Sequence, residues 1–240
     1  MEIALIHGSY HGAWCWDRLR PELEALGHRT TAVDLPISDP SAGAEVYART
    51  VEASLGDGEP PVIVAHSMGG LVAPLIAARR PVRRLVFLAA FLPTPGMSAN
   101  DQREAEALDP PFVPTSAEWT DLGDDVWMIG PTTATELFFY DLEPTIRDAA
   151  IAGLRPQSYR VMREVTPLTA WPEVPCAVIA CRDDHAISPD WVRSAAHDRL
   201  GVEAAEIEGG HSPMLGRPAE LARLIDSLIG EGRVAPAETR

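Results

Sequence analysis

Short apolar runs that favour strands alternate along this chain with longer runs that favour amphipathic helices. The clearest strand-like runs are residues 3–6, 61–65, 84–90 and 175–180, and they lack the polar alternation of a strand with one face in water. Strands buried on both faces are typical of a parallel sheet that is covered by helices. The sequence therefore predicts an α/β fold with a mostly parallel, doubly wound sheet.

The remaining elements of this pattern follow from the same periodicity. Two further strands are expected at residues 28–33 and 203–207. Glycine and proline limit several of the helical runs, because glycine often ends a helix and proline cannot continue one. The predicted helices cover residues 14–26, 44–55, 69–80, 189–200 and 218–229.

The alternation of strands and helices is interrupted in the middle of the chain. Residues 93–172 are rich in proline and carry many large apolar side chains. We expect residues 1–92 and 173–230 to form the core, residues 93–172 to form an inserted helical cap, and residues 231–240 to be a flexible tail. An insertion at the carboxyl edge of a parallel sheet would cover the ligand crevice. The alternative is a second small core without a role in binding.

Charge and cysteine content limit the partners and the compartment that we expect. The formal net charge of the 240 residues is −15, which opposes binding to nucleic acid or to an anionic membrane. Three cysteines favour buried thiols in a reducing compartment over a disulfide framework. The sequence shows neither a signal-peptide pattern nor an apolar run long enough to cross a bilayer. We therefore expect a cytoplasmic protein that is not bound to membranes.

The segment Val62–Gly70 has the pattern of a nucleophile elbow. A buried strand ends at Ser67, and small residues and a helix follow. This strand–turn–helix arrangement would lift the Ser67 hydroxyl above the sheet, at the start of a helix whose dipole favours negative charge. The usual pattern is Gly-x-Ser-x-Gly, and Ala65 takes the place of its first glycine. The alternative is that Ser67 only caps the helix.

Two loops after the last strands supply the partners of this serine. His211 lies in a glycine-rich turn after the final predicted strand, and Asp184 lies after the penultimate one. The chain order serine, aspartate, histidine is that of hydrolase catalytic triads. His211 would take the proton of Ser67, and Asp184 would fix the tautomer of the imidazole. Asp183 is the other candidate, but Asp184 directly precedes the His-Ala-Ile-Ser-Pro turn.

A glycine-rich turn follows the first predicted strand. Acyl transfer requires two backbone N–H groups directed at the oxyanion. We expect one from Met68, directly after the nucleophile, and the other from Ser9 in this turn. Metal binding by His7 and His11 is the alternative, but the turn lacks an acidic neighbour, and we therefore expect no metal site.

Together, these motifs resemble the α/β-hydrolase superfamily, and within it the branch of plant-type methylesterases, hydroxynitrile lyases and their bacterial relatives. The resemblance extends from Glu2 to about Ile229. In this family, lyases carry threonine after the histidine of the first loop and lysine after the catalytic histidine. Gly8 and Ser212 occupy these positions here, and the chain contains no lysine, so the resemblance favours an esterase. The segments that carry it are His7–Gly8, His11–Trp16, Ala65–Gly70, Phe87–Pro93 and Gly210–Met214.

The resemblance implies a carboxylic ester hydrolase that acts through an acyl-enzyme without a metal or an organic cofactor. We expect a small-molecule ester or thioester with an apolar group of small to medium size. The alternatives are a thioesterase, a lactone-forming or cyclising enzyme, a hydroxynitrile lyase and a non-catalytic ligand receptor. The sequence is also compatible with a homodimer. Residues expected to line the substrate pocket are Tyr10, Trp119, Trp127, Phe138, Phe139 and Met214.

Overall fold

A parallel sheet of six strands forms the centre of the fold. The computed structural model describes residues 1–110, 114–115 and 117–230, so the tail expected at residues 231–240 lies outside the described residues. The strands of this sheet are β1 (Glu2–Ile6), β2 (Arg29–Val33), β3 (Val62–His66), β4 (Arg84–Leu88), β8 (Cys176–Cys181) and β9 (Ala205–Ile207). The strand order β2-β1-β3-β4-β8-β9 places β3 beside β1 and β4.

Successive side chains of the four central strands, β1, β3, β4 and β8, enter opposite cores, as the alternation of a pleated strand requires. Ile6 and Ile63 belong to a core on one face of the sheet, whereas Leu5 and Val64 belong to a core on the other face. Both cores contain buried helix side chains, so both faces of the sheet are covered. This arrangement confirms the predicted doubly wound α/β fold and explains why the sequences of the central strands are almost continuously apolar.

Ten α-helices are present among the described residues, and proline determines where several of them begin. The first predicted helix is divided into the 3₁₀ helix Ala13–Trp16 and a short α-helix with Pro21 in its first turn. The helix predicted after β3 is likewise divided into the 3₁₀ helix Ser67–Leu71 and an α-helix with Pro74 in its first turn. Proline lacks an N–H group, so it fits the first turn of a helix and not the interior. The α-helices are α1 (Arg20–Ala25), α2 (Ala44–Ser54), α3 (Ala73–Ala77), α4 (Ala99–Ala105), α5 (Pro131–Ala134), α6 (Pro144–Ala152), α7 (Arg160–Arg163), α8 (Pro189–Leu200), α9 (Pro213–Gly216) and α10 (Pro218–Gly230).

The segment between β4 and β8 contains strands as well as helices. An antiparallel sheet is formed by β5 (Trp119–Asp121), β6 (Val126–Ile129) and β7 (Gln157–Ser158). A π-helical turn covers Thr135–Phe139 and follows α5. The segment is therefore only partly helical, whereas the sequence analysis predicted a helical insertion. Strands of two to four residues are too short to show a recognisable alternation of polar and apolar side chains.

Among residues 1–110, 114–115 and 117–230, no helix combines the length and the apolar character that are needed to cross a bilayer.

Candidate active site

Ser67 lies directly after β3 in a backbone conformation that residues other than glycine rarely adopt. Its φ is +53°, in the left-handed region, where a residue with a Cβ is strained. The turn also brings the following helix close to its neighbours, since a Cβ on Gly70 would lie 2.0 Å from the carbonyl oxygen of Phe91. A Cβ on Gly69 would lie 3.0 Å from the carbonyl oxygen of Ile6. This geometry is that of the predicted nucleophile elbow, in which a strained turn exposes the hydroxyl.

Ala65 replaces the usual first glycine of this elbow. It is fully buried within the apolar core, and it lies in register with Ile6 on one side and Phe87 on the other. Ser67 still reaches a left-handed φ with this residue present. The additional methyl group is therefore accommodated by packing and does not prevent formation of the turn.

His211 and Asp184 form a buried pair beside this turn. His211 Nδ1 lies 2.8 Å from Asp184 Oδ2, and both side chains are about 1% exposed. The other oxygen, Asp184 Oδ1, accepts the N–H groups of Ala186 at 2.7 Å and Ile187 at 3.1 Å. A buried carboxylate with three donors is held in a fixed direction, which in turn fixes the orientation of the imidazole.

Asp183 has a different place in the structure. This residue is exposed, and its Oδ2 accepts the N–H group of Gly209 at 3.3 Å. The N–H group of Asp183 donates to the carbonyl oxygen of Gly209 at 3.1 Å. Asp183 therefore joins the loop that carries Asp184 to the loop that carries His211, while Asp184 makes the contact with the imidazole.

His66, the last residue of β3, connects the serine to the histidine loop. Its Nε2 donates to the carbonyl oxygen of His211 at 2.9 Å, and the centroids of the two rings are 4.5 Å apart. Burial lowers the pKa of His66 well below its usual value, so the ring is neutral. The residue preceding Ser67 thus holds the backbone of His211, which brings all three residues of the predicted triad to one edge of the sheet.

The turn after β1 is held by His7. Its Nδ1 donates to the carbonyl oxygen of Gly8 at 2.8 Å, while Nε2 accepts the N–H group of Leu35 at 3.0 Å. Burial lowers the pKa of His7 to about 4, which keeps Nε2 available as an acceptor. The Gly8 carbonyl and the Ser9 N–H belong to one trans peptide and point in opposite directions. His7 therefore also fixes the direction of the Ser9 N–H group, the expected oxyanion donor.

His11 fixes the next peptide of the same turn. Its Nδ1 donates to the carbonyl oxygen of Ser9 at 2.6 Å, and burial lowers its pKa to about 3. Through Nδ1, both His7 and His11 thus bind backbone carbonyl groups of the turn, while His7 Nε2 contacts Leu35 and Arg155. Within the described part of the chain, no group of three or more His, Cys, Asp or Glu side chains could hold a metal ion.

A cavity of about 500 Å³ opens beside Ser67 and Ser9. This volume is in the range of small-molecule sites, which is roughly 300–1,000 Å³. Three of the residues expected to line the pocket, Tyr10, Trp119 and Phe138, do line the cavity. The wall also includes side chains that the sequence did not indicate, among them Asn100, Arg103, Leu137, Gln157, Tyr159, Met162 and His185.

The other three residues expected in the pocket do not lie on the wall of this cavity. Phe139 is fully buried and packs against Phe138, with ring centroids 5.9 Å apart. Met214 is also fully buried and belongs to the apolar core. Trp127 packs against the ring of Tyr159 at 6.4 Å. Their apolar character serves packing beneath or beside the cavity, a distinction that composition does not make.

Two adjacent residues at the end of the π-helical turn brace the site, and sequence reasoning did not identify them. Tyr140 Oη donates to the carbonyl oxygen of Asp183 at 2.8 Å. Asp141 Oδ2 accepts the N–H group of Gly210 at 2.9 Å, directly before His211, the predicted base. The only sequence signal was a Tyr-Asp pair at the end of an apolar run, which does not show what it contacts.

Comparisons with known proteins agree with this geometry. The model of the Alpha/beta hydrolase family matches residues 3–224. Methylesterase 7 of Arabidopsis thaliana is 30% identical to this chain, with 93% of this chain and 94% of the relative covered. Methylesterase 2 of the same plant is 32% identical, with 91% and 92% covered.

Solved structures share the fold at lower identity. A crystal structure of polyneuridine aldehyde esterase has a TM-score of 0.79 and 23% identity, and the match covers 95% of this chain and 98% of that chain. A pyrethroid hydrolase from Sphingobium faniae JZ-2 has a TM-score of 0.73 and 23% identity, with 100% and 99% covered.

Proposed function

Since this chain belongs to the alpha/beta hydrolase family, we propose that it hydrolyses carboxylic esters with Ser67, His211 and Asp184 as its catalytic triad. The observation that carries this proposal is the buried 2.8 Å contact between His211 and Asp184, beside a serine held at a φ of +53°. A strained turn at the end of a strand is the geometry of a nucleophile elbow, and a buried histidine–aspartate pair is the standard means of orienting a general base.

The reaction follows from the roles of these groups. Ser67 Oγ attacks the ester carbonyl carbon while His211 takes its proton, and Asp184 stabilises the imidazolium that forms. The N–H groups of Ser9 and Met68 stabilise the oxyanion of the tetrahedral intermediate. His211 then protonates the leaving alcohol, so that the carbon–oxygen bond breaks and an acyl-enzyme remains. A water molecule, deprotonated by His211, hydrolyses the acyl-enzyme.

The substrate is a small-molecule ester that fits a cavity of about 500 Å³. Residues 93–172 act as the cap, because side chains from this segment, such as Trp119 and Phe138, share the cavity wall with Ser67. The methylesterase names of the relatives support an ester with a small alcohol group. The cytoplasm is the proposed location, in keeping with three free cysteines.

A fluorophosphonate probe tests the proposal, since it reacts with an activated serine. The wild-type protein should be labelled and should hydrolyse methyl and 4-nitrophenyl esters, whereas Ser67→Ala should lose both properties. Ser41→Ala, at an exposed position, is the matched control and should behave as the wild type. Equal labelling of wild type and Ser67→Ala, or ester hydrolysis that survives in Ser67→Ala, would show that another group performs the chemistry.

A further inference from the structure

Four consecutive carbonyl groups in the turn after β1 accept hydrogen bonds. The first two, those of Gly8 and Ser9, accept ring N–H groups of histidines within the turn itself. The next two, those of Tyr10 and His11, accept N–H groups of Arg155. Tyr10 has a φ of +62°, a strained conformation that persists only when the surroundings impose it. Arg155 therefore supplies the bonds that the turn does not make with its own side chains.

Arg155 belongs to the inserted segment, between α6 and β7, and binds the turn with its backbone and its side chain. Its backbone N–H group donates to the carbonyl oxygen of Tyr10 at 2.8 Å. Its Nε and Nη2 atoms both donate to the carbonyl oxygen of His11, at 3.1 Å and 2.9 Å. Nη2 also donates to the carbonyl oxygen of Leu35 at 3.3 Å. A planar guanidinium can make these contacts together, whereas a single ammonium group cannot.

A chain of hydrogen bonds leads from this guanidinium to the peptide that carries the Ser9 N–H group. His7 Nε2 lies 3.0 Å from the N–H group of Leu35 and 3.4 Å from Arg155 Nη2. Two donors at Nε2 require the ring proton to be on Nδ1, the atom that donates to the Gly8 carbonyl oxygen. That carbonyl and the Ser9 N–H group share one trans peptide, so the direction of one fixes the direction of the other.

The charge of Arg155 is partly balanced, and it favours the neutral form of the two histidines. Asp34 Oδ1 lies 3.3 Å from Arg155 Nη2 and also accepts the N–H group of Ala13 at 2.8 Å. Burial is the main cause of the low pKa values of His7 and His11, and the positive charge of Arg155 lowers both further. Only a neutral imidazole keeps a ring nitrogen that accepts hydrogen bonds.

We propose that Arg155 is a positioning residue for oxyanion stabilisation, which acts through His7 and the turn carbonyls to direct the Ser9 N–H group. Among the described residues, Arg155 is not part of the cavity wall, so it acts without touching the substrate. Oxyanion donors act on charge that develops in the transition state, and their loss therefore lowers kcat more than it changes KM. This inference rests on the proposed ester hydrolysis, and it gives the inserted segment a part in the chemistry.

Arg155→Met and Arg155→Lys test the proposal, with kcat and KM measured for 4-nitrophenyl butyrate. In Arg155→Met, kcat should fall about 10- to 100-fold while KM stays within about twofold. Arg155→Lys should recover part of the loss, because it keeps a cationic donor. Arg84→Met is the matched control, since the Arg84 guanidinium also donates to a backbone carbonyl oxygen, that of Leu228 at 2.6 Å, but lies at the amino end of β4. Its kcat should equal that of the wild type.

Fluorophosphonate labelling separates this inference from the proposed function. The attack of Ser67 on phosphorus also builds charge on an oxygen atom, so the labelling rate of Arg155→Met should fall together with kcat. Melting temperatures are measured for all variants, and a loss of stability without a loss of kcat would overturn the positioning role. A rise in KM at unchanged kcat, or equal losses of kcat in Arg155→Met and Arg84→Met, would also overturn it.

Two further outcomes remain distinct. If Arg155→Met does not fold, Arg155→Lys decides the question, since a wild-type kcat in this variant would show that the forked contacts are unnecessary. A wild-type protein that is neither labelled nor able to hydrolyse the ester would instead refute the catalytic proposal.

Discussion

His66 shows how a single residue can position the proposed base without touching the substrate. Its side chain is fully buried, and its Nε2 donates to the carbonyl oxygen of His211 at 2.9 Å. His66 directly precedes Ser67 in the chain, so this hydrogen bond joins the turn of the proposed nucleophile to the loop of the proposed base. Small displacements of reacting groups have large kinetic effects, because proton transfer requires hydrogen-bond distance.

Replacement of His66 tests this positioning role. In His66→Leu we expect kcat to fall up to about 100-fold with little change in KM, because the loop that carries His211 loses its hydrogen bond to the residue before Ser67. His66→Gln, whose amide can still donate, should recover part of the loss. Steady-state kinetics are measured beside the rate of fluorophosphonate labelling. An equal loss in both variants, or a loss confined to thermal stability, would contradict the role.

Gly8 is a residue whose missing side chain leaves room for the nucleophile. A Cβ at this position would lie 2.7 Å from Ser67 Cβ and 3.3 Å from Ser67 Oγ. We expect Gly8→Ala to lower kcat/KM at least about tenfold, since the added methyl group must displace the serine. Gly58→Ala is the control, because a Cβ on Gly58 meets no atom within 4 Å. Full activity of Gly8→Ala would show that the turn moves aside easily.

At the scale of elements, the π-helical turn and the residues after it support the loop that carries the base. Asp141 Oδ2 accepts the N–H group of Gly210, and Gly209 adopts a φ of +91° beside the same carboxylate. A Cβ on Gly209 would lie 2.5 Å from Asp141 Oδ2. The inserted segment therefore contributes to the orientation of His211 as well as to the cavity wall.

Removal of the Asp141 carboxylate should make the loop that carries His211 more mobile. We expect Asp141→Ala to destabilise the protein by roughly 1–3 kcal/mol, because the Gly210 N–H loses its partner. Hydrogen exchange at residues 209–212 should become faster, as measured by mass spectrometry. Asp148→Ala serves as the control, because Asp148 lies in α6 with its side chain about 70% exposed. Unchanged exchange in Asp141→Ala would show that other contacts hold the loop.

The elements also show what the sequence could and could not predict. Continuous apolar runs identified β1, β3, β4 and β8, and the ends of these strands indicated where Ser67 and Asp184 lie. Two predicted helices are divided, and the second part of each begins with Pro21 or Pro74 in its first turn. The periodic apolar pattern did not predict this division, because it does not take the missing N–H group of proline into account. The short strands β5 to β7 could not be predicted, because they are stabilised by pairing with residues distant in sequence.

The strained backbone of Tyr10 could not be inferred from its neighbours in sequence. Its positive φ is accompanied by hydrogen bonds with Arg155 and Gln157, which are distant along the chain. Such contacts are tertiary properties. The bracing contacts of Asp141 were missed for the same reason, whereas the order of Ser67, Asp184 and His211 along the chain was sufficient to suggest a triad.

At the scale of the whole molecule, three neutral histidines buried around the site make folding sensitive to acid. Burial lowers the pKa of His7 to about 4 and that of His11 to about 3, and it lowers the pKa of His66 well below its usual value. In the unfolded chain, these groups would titrate near 6.5. The unfolded state therefore binds more protons below pH 6.5, so stability falls as the pH falls towards the folded-state pKa values.

Urea unfolding at several pH values tests this expectation. Between pH 7.5 and pH 5, each of the three histidines should remove about 2 kcal/mol of unfolding free energy. His11→Gln should show a smaller pH dependence than the wild type by about that amount, whereas His197→Gln, at an exposed position, should not. If His11→Gln retained the full pH dependence, the proton uptake would have to occur elsewhere.

The guanidinium of Arg155 donates to the carbonyl oxygens of His11 at 2.9 Å and Leu35 at 3.3 Å. The backbone N–H group of Arg155 donates to the carbonyl oxygen of Tyr10. Arg155 precedes β7, so these bonds join the inserted segment to the very turn that supplies Ser9. Movement of the inserted segment as one rigid body would break these bonds and displace the turn that carries Ser9, the proposed oxyanion donor. We therefore expect substrate to enter without breaking the bonds of Arg155 to this turn.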